Sequence, residues 1–296
     1  MNNVLDTSGM PQTPPSHNPP TSDDNPLLDD NPFLCPRENT VAALWEQIQR
    51  VQVIHVRGTP TSGKSILARL FRAYVKTKRP DIDVHLFNWP VDIERKDGYH
   101  LLSYYHLLND ILKQPATDSD TWLERRNTLI IIDEAQRSYK FHNIWNQFIK
   151  TLASSKGSGP FVVLFSSFGS PAGTPIEVPI ESGSAPVQFR PDQRVSIQAL
   201  PYTNPNVSLY FNREEFSDAV ARTCKMYGKV DGNHFIPSEE LMQHIWELTN
   251  GHPGGVSAVL EILIHSEVSI SQLNHYAELT RSEPEAVSKK QINNTP

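Results

Sequence analysis

Apolar residues along this chain follow two patterns. Short runs rich in β-branched residues alternate with longer stretches in which apolar positions recur every three or four residues. Val51–Val56, Val84–Trp89, Thr128–Ile132, Phe161–Phe165 and Arg194–Leu200 read as strands. Helical stripes lie between them: Val41, Leu44, Trp45 and Ile48; Ile66, Leu67, Leu70, Phe71 and Val75; Leu101, Leu102, Tyr105, Leu108, Ile111 and Leu112; and Phe141, Ile144, Trp145, Phe148 and Ile149. Thr40 is placed to cap the first helix, and Trp122–Arg126 is expected to add a helical turn. Strands alternating with helices predict an α/β fold with a doubly wound, mostly parallel sheet.

Beyond Leu200 the β runs stop, and Glu214–Met226, Pro237–Thr249 and Gly254–His265 carry helical spacing, which predicts a smaller all-helical lid. Pro237-Ser238-Glu239 suits a helix start and Asn250-Gly251 a helix stop before Pro253. Residues 1–36 contain 8 prolines and five aspartates with no Lys, Arg or Trp, too little apolar surface to offset the entropy of ordering. The expected organisation is a disordered Pro/Asp-rich tail over 1–32, an α/β domain over 33–200, a helical lid over 201–281 and a frayed end over 282–296. Gly169–Pro191, rich in Gly, Ser, Pro and Thr, is expected to be a long surface loop.

The β run at Val51 leads into Gly58, Thr59, Pro60, Thr61, Ser62, Gly63, Lys64, Ser65 and Ile66, which satisfies G-x-x-x-x-G-K-[ST] between a strand and a helix. Such a loop turns successive N–H groups onto a phosphate, because glycine tolerates left-handed backbone angles. Lys64 would reach the β- and γ-phosphates, Ser65 would ligate Mg²⁺, and the following helix would add the positive end of its dipole.

Composition narrows the field. With 27 Lys+Arg against 33 Asp+Glu the net charge is -6, so no global attraction to nucleic acid is indicated. Two cysteines, Cys35 and Cys224, are too few for a disulfide framework and suit a reducing compartment. No signal-peptide pattern is present, and apolar runs break well before the roughly 18 residues of a membrane span, so an intracellular location, cytoplasmic or nuclear, is expected. Eleven histidines show no metal-binding spacing, which leaves the nucleotide's Mg²⁺ as the expected metal.

About 70 residues after the loop, the strand at Thr128 ends in Asp133 and Glu134. Asp133 would hold Mg²⁺ through water and Glu134 would polarise the attacking water. A small-molecule kinase needs no second acid for water, so the pair favours hydrolysis. Ser166 and Ser167 end the next strand, where Ser167 is positioned to sense the γ-phosphate. Arg137, Arg190 and Arg194 are candidates to neutralise transition-state charge, although spacing singles out none of them. Tyr139, Trp145, Trp122 and Trp246 fall on helical stripes and are expected to pack in the core.

This order of motifs resembles the AAA+ and STAND class of P-loop ATPases over roughly residues 33–266. Phe33-Leu34-Cys35-Pro36-Arg37-Glu38 looks like the family's opening motif, with Pro36 where the family has glycine. Phe165-Ser166-Ser167 resembles the sensor-1 strand end, and Thr249-Asn250-Gly251-His252-Pro253-Gly254 the Gly-x-Pro turn of the lid. The resemblance implies a P-loop NTPase fold and an adenine pocket with Phe33 and Arg37 in its lining. It also implies that Pro253 packs on the base and that His252 approaches the phosphates. More narrowly, Ile132-Asp133-Glu134-Ala135-Gln136-Arg137-Ser138-Tyr139, followed by Trp145 and Phe168-Gly169-Ser170-Pro171, looks like the NTPase modules of crinkler-type effectors and their fungal and oomycete relatives. No header domain of that type is recognisable in residues 1–36.

The expected function is an ATPase that uses Mg-ATP to change the angle between core and lid. The competing expectation is an ATP- or ADP-dependent switch with negligible turnover. Self-association or a protein partner is left open by both.

Overall fold

The computed structural model describes residues 31, 34–95, 98, 102–112, 123–154, 157, 159–167, 187–198, 207–227, 229, 230, 233, 234 and 236–265. Phe33, Trp122, Phe168–Pro171, the tail to residue 30, most of the Gly169–Pro191 stretch and everything past residue 265 lie outside the described residues.

The first lobe runs through α1 (Glu38–Val51), β1 (Val53–Arg57), α2 (Lys64–Lys78), β2 (Asp83–Asn88), α3 (Val91–Arg95), α4 (Tyr104–Leu112) and β3 (Thr128–Asp133). A 3-10 turn at Ala135–Ser138 and a π-helical stretch at Ile144–Ile149 follow, the latter running into α5 (Lys150–Ser154), and then come β4 (Phe161–Ser166) and β5 (Arg194–Val195). The five strands form one parallel sheet in the order β2-β3-β4-β1-β5. β4 is therefore inserted between β1 and β3, with Val53 opposite Val162 and Ile132 opposite Leu164.

Alternation along these strands sends side chains to two covered faces, which is why β3 is buried at all six positions. Ile54, Val56, Ile131, Val163 and Phe165 pack beneath α1 and α2 with Leu44, Ile48, Leu67 and Phe71. Val53, Ile130, Ile132, Val162 and Leu164 pack on the other side with Leu108, Tyr139, Trp145 and Phe148. The sheet is thus doubly wound, and the expected α/β class stands.

Local expectations needed correction in four places. α1 begins at Glu38, two residues before Thr40, because Arg37 adopts a left-handed φ of 50° and turns the chain there. The Thr40 hydroxyl donates to the Glu215 carboxylate across the molecule and caps nothing. Leu123–Arg126 forms turns and no helix. β5 is only two residues long, and the chain next pairs through the Ser196–Ser208 bridge.

The second lobe comprises α6 (Arg213–Tyr227), α7 (Glu239–Thr249) and α8 (Pro253–His265) around Phe216, Val220, Cys224, Leu241, Ile245, Val256 and Leu260. Ser238 caps α7 by accepting the Leu241 N–H, and Asn250 ends it with a left-handed φ of 48°. The fourth correction lies here. A two-stranded antiparallel pair, β6 (Lys229–Val230) and β7 (Asn233–His234), interrupts the expected all-helical pattern. No helix among the described residues is long and apolar enough to cross a membrane.

Candidate functional site

β1 delivers its chain directly into the glycine-rich loop, and β4 holds the junction, where Gly58 N–H donates to Ser166 O at 3.2 Å. A Cβ at Gly58 would sit 2.3 Å from Leu209 Cδ1 and 2.5 Å from Ser62 Oγ, so any larger residue would have to displace both side chains. Gly63 has φ +86°, a conformation glycine adopts without steric cost. Thr61 adopts φ 60° with a side chain present, a strain of about 1–2 kcal/mol that the surrounding loop sustains.

The Lys64 ammonium donates to Gly58 O at 2.9 Å and Thr59 O at 2.7 Å, so the loop folds around its own lysine. Burial lowers the pKa of this ammonium below its ordinary value, while the nearby Glu134 and Asp133 carboxylates act in the opposite direction. Ser62, fully buried, donates from its hydroxyl to Thr59 O and braces the loop from behind. Lys64 opens α2, a 15-residue helix with no acidic residue in its first turn to compete for an anion.

β3 ends beside this loop. Asp133 is buried, and its Oδ1 accepts the Glu134 N–H at 2.9 Å. Glu134 itself stands at φ 53°, a second strained non-glycine residue at the same site. Lys64, Ser65, Glu134 and Ser167 line one cavity of about 500 Å³ together with Pro60, Thr61, Gly63 and Ile66. Three separate segments therefore converge: the loop, the end of β3 and the residue after β4. Ser65 lines this cavity, whereas Asp133 lies buried at the end of β3 and does not line it; both carry oxygen donors of the kind a hard cation such as Mg²⁺ takes. Among the described residues no cluster of three or more His, Cys, Asp or Glu forms another metal site.

Directly behind the cavity, His55 Nε2 and Ser166 Oγ lie 2.6 Å apart, both fully buried between β1 and β4. Burial, reinforced by Arg57 and then Arg194, pushes the His55 pKa down to about 3, so the ring is neutral at physiological pH. Tyr139, also buried, has its pKa raised to about 12 mainly by burial.

A second cavity, of about 250 Å³, shares Thr61, Gly63 and Ile66 with the first. Leu34, Cys35 and Arg37 line it from before α1; Phe211, Ala219 and Thr223 from the start of the second lobe; and Pro253, Gly254, Val256 and Ser257 from α8. Arg37 is 3% exposed, and its guanidinium donates to Glu215 Oε2 at 3.2 Å, Leu209 O at 2.9 Å, Ser208 O at 3.0 Å and Tyr210 O at 3.2 Å. Its bond to Glu215 ties the start of α1 to the second lobe. The α8 turn rests on the loop, with Gly254 N–H donating to Thr61 O at 3.1 Å. Pro253 lines the second cavity, whereas His252 lines neither. The Nδ1 of His252 accepts the Gly255 N–H at 3.0 Å, and its ring packs edge-on against Tyr210.

Arg137, Arg190 and Arg194 line neither cavity, and Arg190 pairs with Asp192. Sequence reasoning missed Phe211, Ala219, Thr223, Val256 and Ser257, whose helical spacing gives no hint of a ligand. It also missed Gln136, whose amide bridges Glu134 and Ser167. The signal available for Gln136 was its place two residues after Glu134 in the strand-end motif.

No family model matches the chain, and no curated protein matches it. Among solved structures it is similar to a Walker-type ATPase of Pyrococcus abyssi, at 15% identity and a TM-score of 0.43, over 86% of this chain and 76% of that one. A RuvB variant of Thermotoga maritima aligns at 12% identity and a TM-score of 0.41, over 82% and 69% of the two chains. Domain III of the Thermotoga maritima replication initiation protein DnaA aligns at 14% identity and a TM-score of 0.41, over 84% and 95%. Likenesses at this level carry no functional conclusion, which rests on the residues of the site.

Proposed function

We propose that this chain binds ATP with Mg²⁺ and hydrolyses it, with the triphosphate in the larger cavity and the base in the smaller one. The observation that carries this reading is the meeting of Lys64 and Ser65 with Glu134 and Ser167 around a single cavity that shares a wall with an apolar one. Loop amides, the α2 terminus and the Lys64 ammonium would hold the phosphates. Bound Mg²⁺, held by Ser65 and through water by Asp133, would supply charge neutralisation on the β- and γ-oxygens. Glu134 would take a proton from water as its oxygen bonds to the γ-phosphorus and the bond to the leaving ADP oxygen breaks. Ser167 would orient the γ-phosphate.

The apolar walls formed by Leu34, Ile66, Phe211, Pro253 and Val256 suit a flat purine, in the manner of a pre-formed ligand cleft. Membership of the AAA+ or STAND class, and within it kinship with crinkler-type modules, is part of this proposal. So are the domain boundaries at residues 32, 200 and 281. Because Gly254 bonds the loop carbonyl of Thr61, nucleotide in the loop would be felt by the lid, which supports a change of lobe angle on turnover.

The test is phosphate release by wild type and Glu134→Gln, together with calorimetric ATP binding. Turnover is expected to fall by about 100- to 10,000-fold in the variant while ATP affinity is retained. Equal turnover in the two proteins would remove Glu134 as the base. Wild type that binds ATP and releases no phosphate would leave the switch reading in its place.

A further inference from the structure

Gln136 sits in the 3-10 turn Ala135–Ser138, and both ends of its side-chain amide are committed. Its Nε2 donates to Glu134 Oε2 at 2.5 Å, and its Oε1 accepts the Ser167 N–H at 3.1 Å. Exchanging nitrogen and oxygen would set an NH₂ against an N–H and an oxygen against a carboxylate, so the two partners fix the amide's orientation. The turn that carries it is itself braced. Arg137 N–H and Tyr139 N–H donate to Glu134 O and Gln136 O at 3.0 and 3.2 Å, and Trp145 Nε1 donates to Ser138 O at 3.1 Å. Among the described residues no hydrogen bond engages Glu134 Oε1. One carboxylate oxygen is thus tethered and the other remains for a water in the cavity that Glu134 and Ser167 both line.

We propose that Gln136 is a positioning residue for hydrolysis: its amide aims the Glu134 carboxylate and locks that aim to the strand end at Ser167, which lines the same cavity. The inference rests on the ATPase reading above. It requires that Gln136 act on the chemical step and leave ATP binding alone, because neither of its bonds is made by the loop that would hold the phosphates. A side chain that holds a base in register supplies orientation, and a misplacement of about 1 Å can cost about 100-fold in rate.

The test measures kcat, KM and ATP affinity for Gln136→Ala, Gln136→Met and Gln136→Glu, with melting temperature as a control. Gln136→Ala and Gln136→Met are expected to lower kcat by about 30- to 100-fold with ATP affinity within about twofold of wild type. In a Glu134→Gln background, Gln136→Ala should cause no further loss, since there is no base left to aim. Gln136→Glu still accepts from Ser167 but sets carboxylate against carboxylate. It should be as slow as Gln136→Ala at neutral pH and regain rate as pH falls, once a shared proton lets the pair bond.

A Gln136→Glu variant as fast as wild type at neutral pH would show that only the Ser167 bond matters and would overturn the inference. Loss of ATP affinity in step with kcat would overturn it too. Wild type that turns over beside an indifferent Gln136→Ala overturns the inference alone. Wild type that binds ATP and releases no phosphate overturns the hydrolytic reading and the inference together.

Discussion

The two halves of the site share Thr61, Gly63 and Ile66, yet they are built by opposite means. The half proposed for the phosphates draws most of its lining from one continuous loop, residues 60–66, and adds Glu134 and Ser167 from two strand ends. The half proposed for the base takes its lining from residues 34–37, 61–66, 211–223 and 253–257, which meet only because two lobes pack together. The difference shows in the cations. Lys64 is held by carbonyls five and six residues away in its own loop. Arg37 is held by partners more than 170 residues away. A locally built half should lose function when its key residue is changed, while a half built from distant segments should lose structure.

Arg37→Ala would break this comparison most severely. It leaves Glu215 buried without its cation, so denaturant unfolding should show a loss of about 3–5 kcal/mol. An unchanged midpoint would mean that the lobes dock without this pair.

Lys64→Ala should show the reverse pattern: about a 100-fold loss of ATP affinity, or about 2.7 kcal/mol, by calorimetry, with a loss of unfolding free energy smaller than that of Arg37→Ala. If both proteins bind ATP equally, the phosphate half has been misread.

The His55–Ser166 pair under the phosphate half sharpens the contrast through pH. The unfolded chain takes up a proton on His55 near pH 6.5, and the folded chain refuses it down to about pH 3. Stability from this group is therefore fully present above pH 6.5 and is lost as pH falls, by about 2 kcal/mol between pH 7 and pH 5. His55→Gln should flatten that part of the stability curve, measured by unfolding at a series of pH values. A variant with the wild-type slope would place the acid sensitivity elsewhere.

Pro253→Ala is the mildest test. Removing part of the wall against the base should weaken ATP severalfold, about 1 kcal/mol, and leave inorganic triphosphate binding nearly unchanged. Equal weakening of both ligands would mean that the turn acts on the loop through Gly254 and does not touch the base.

What was legible in the sequence follows from how far each signal reaches. The loop could be read because its glycines, lysine and serine act on one another within eight residues, and the strands flanking it because burial on both faces demands continuous β-branched runs. Asp133 and Glu134 were legible for the same local reason, as the polar end of an apolar strand. Arg37 was expected in the lining of a base pocket from its motif alone, and it lines the smaller cavity, but its guanidinium is taken up by Glu215 and three carbonyls. Nothing within a dozen residues of Arg37 could have revealed them.

The amino-acid sequence by itself determined most of the strands and helices and the glycine-rich loop between β1 and α2, since those depend on the period of apolar side chains and on backbone angles available to single residues. Only the tertiary structure decided that β4 lies between β1 and β3 and so carries Ser167 to Glu134. Parallel strands pair through backbone groups that are alike at every position, so local pattern does not name a strand's neighbour. The same holds for the second lobe, whose helices show a core-facing stripe in sequence. That Phe211, Thr223 and Val256 face the first lobe across a cavity was settled by the docking of one lobe on the other.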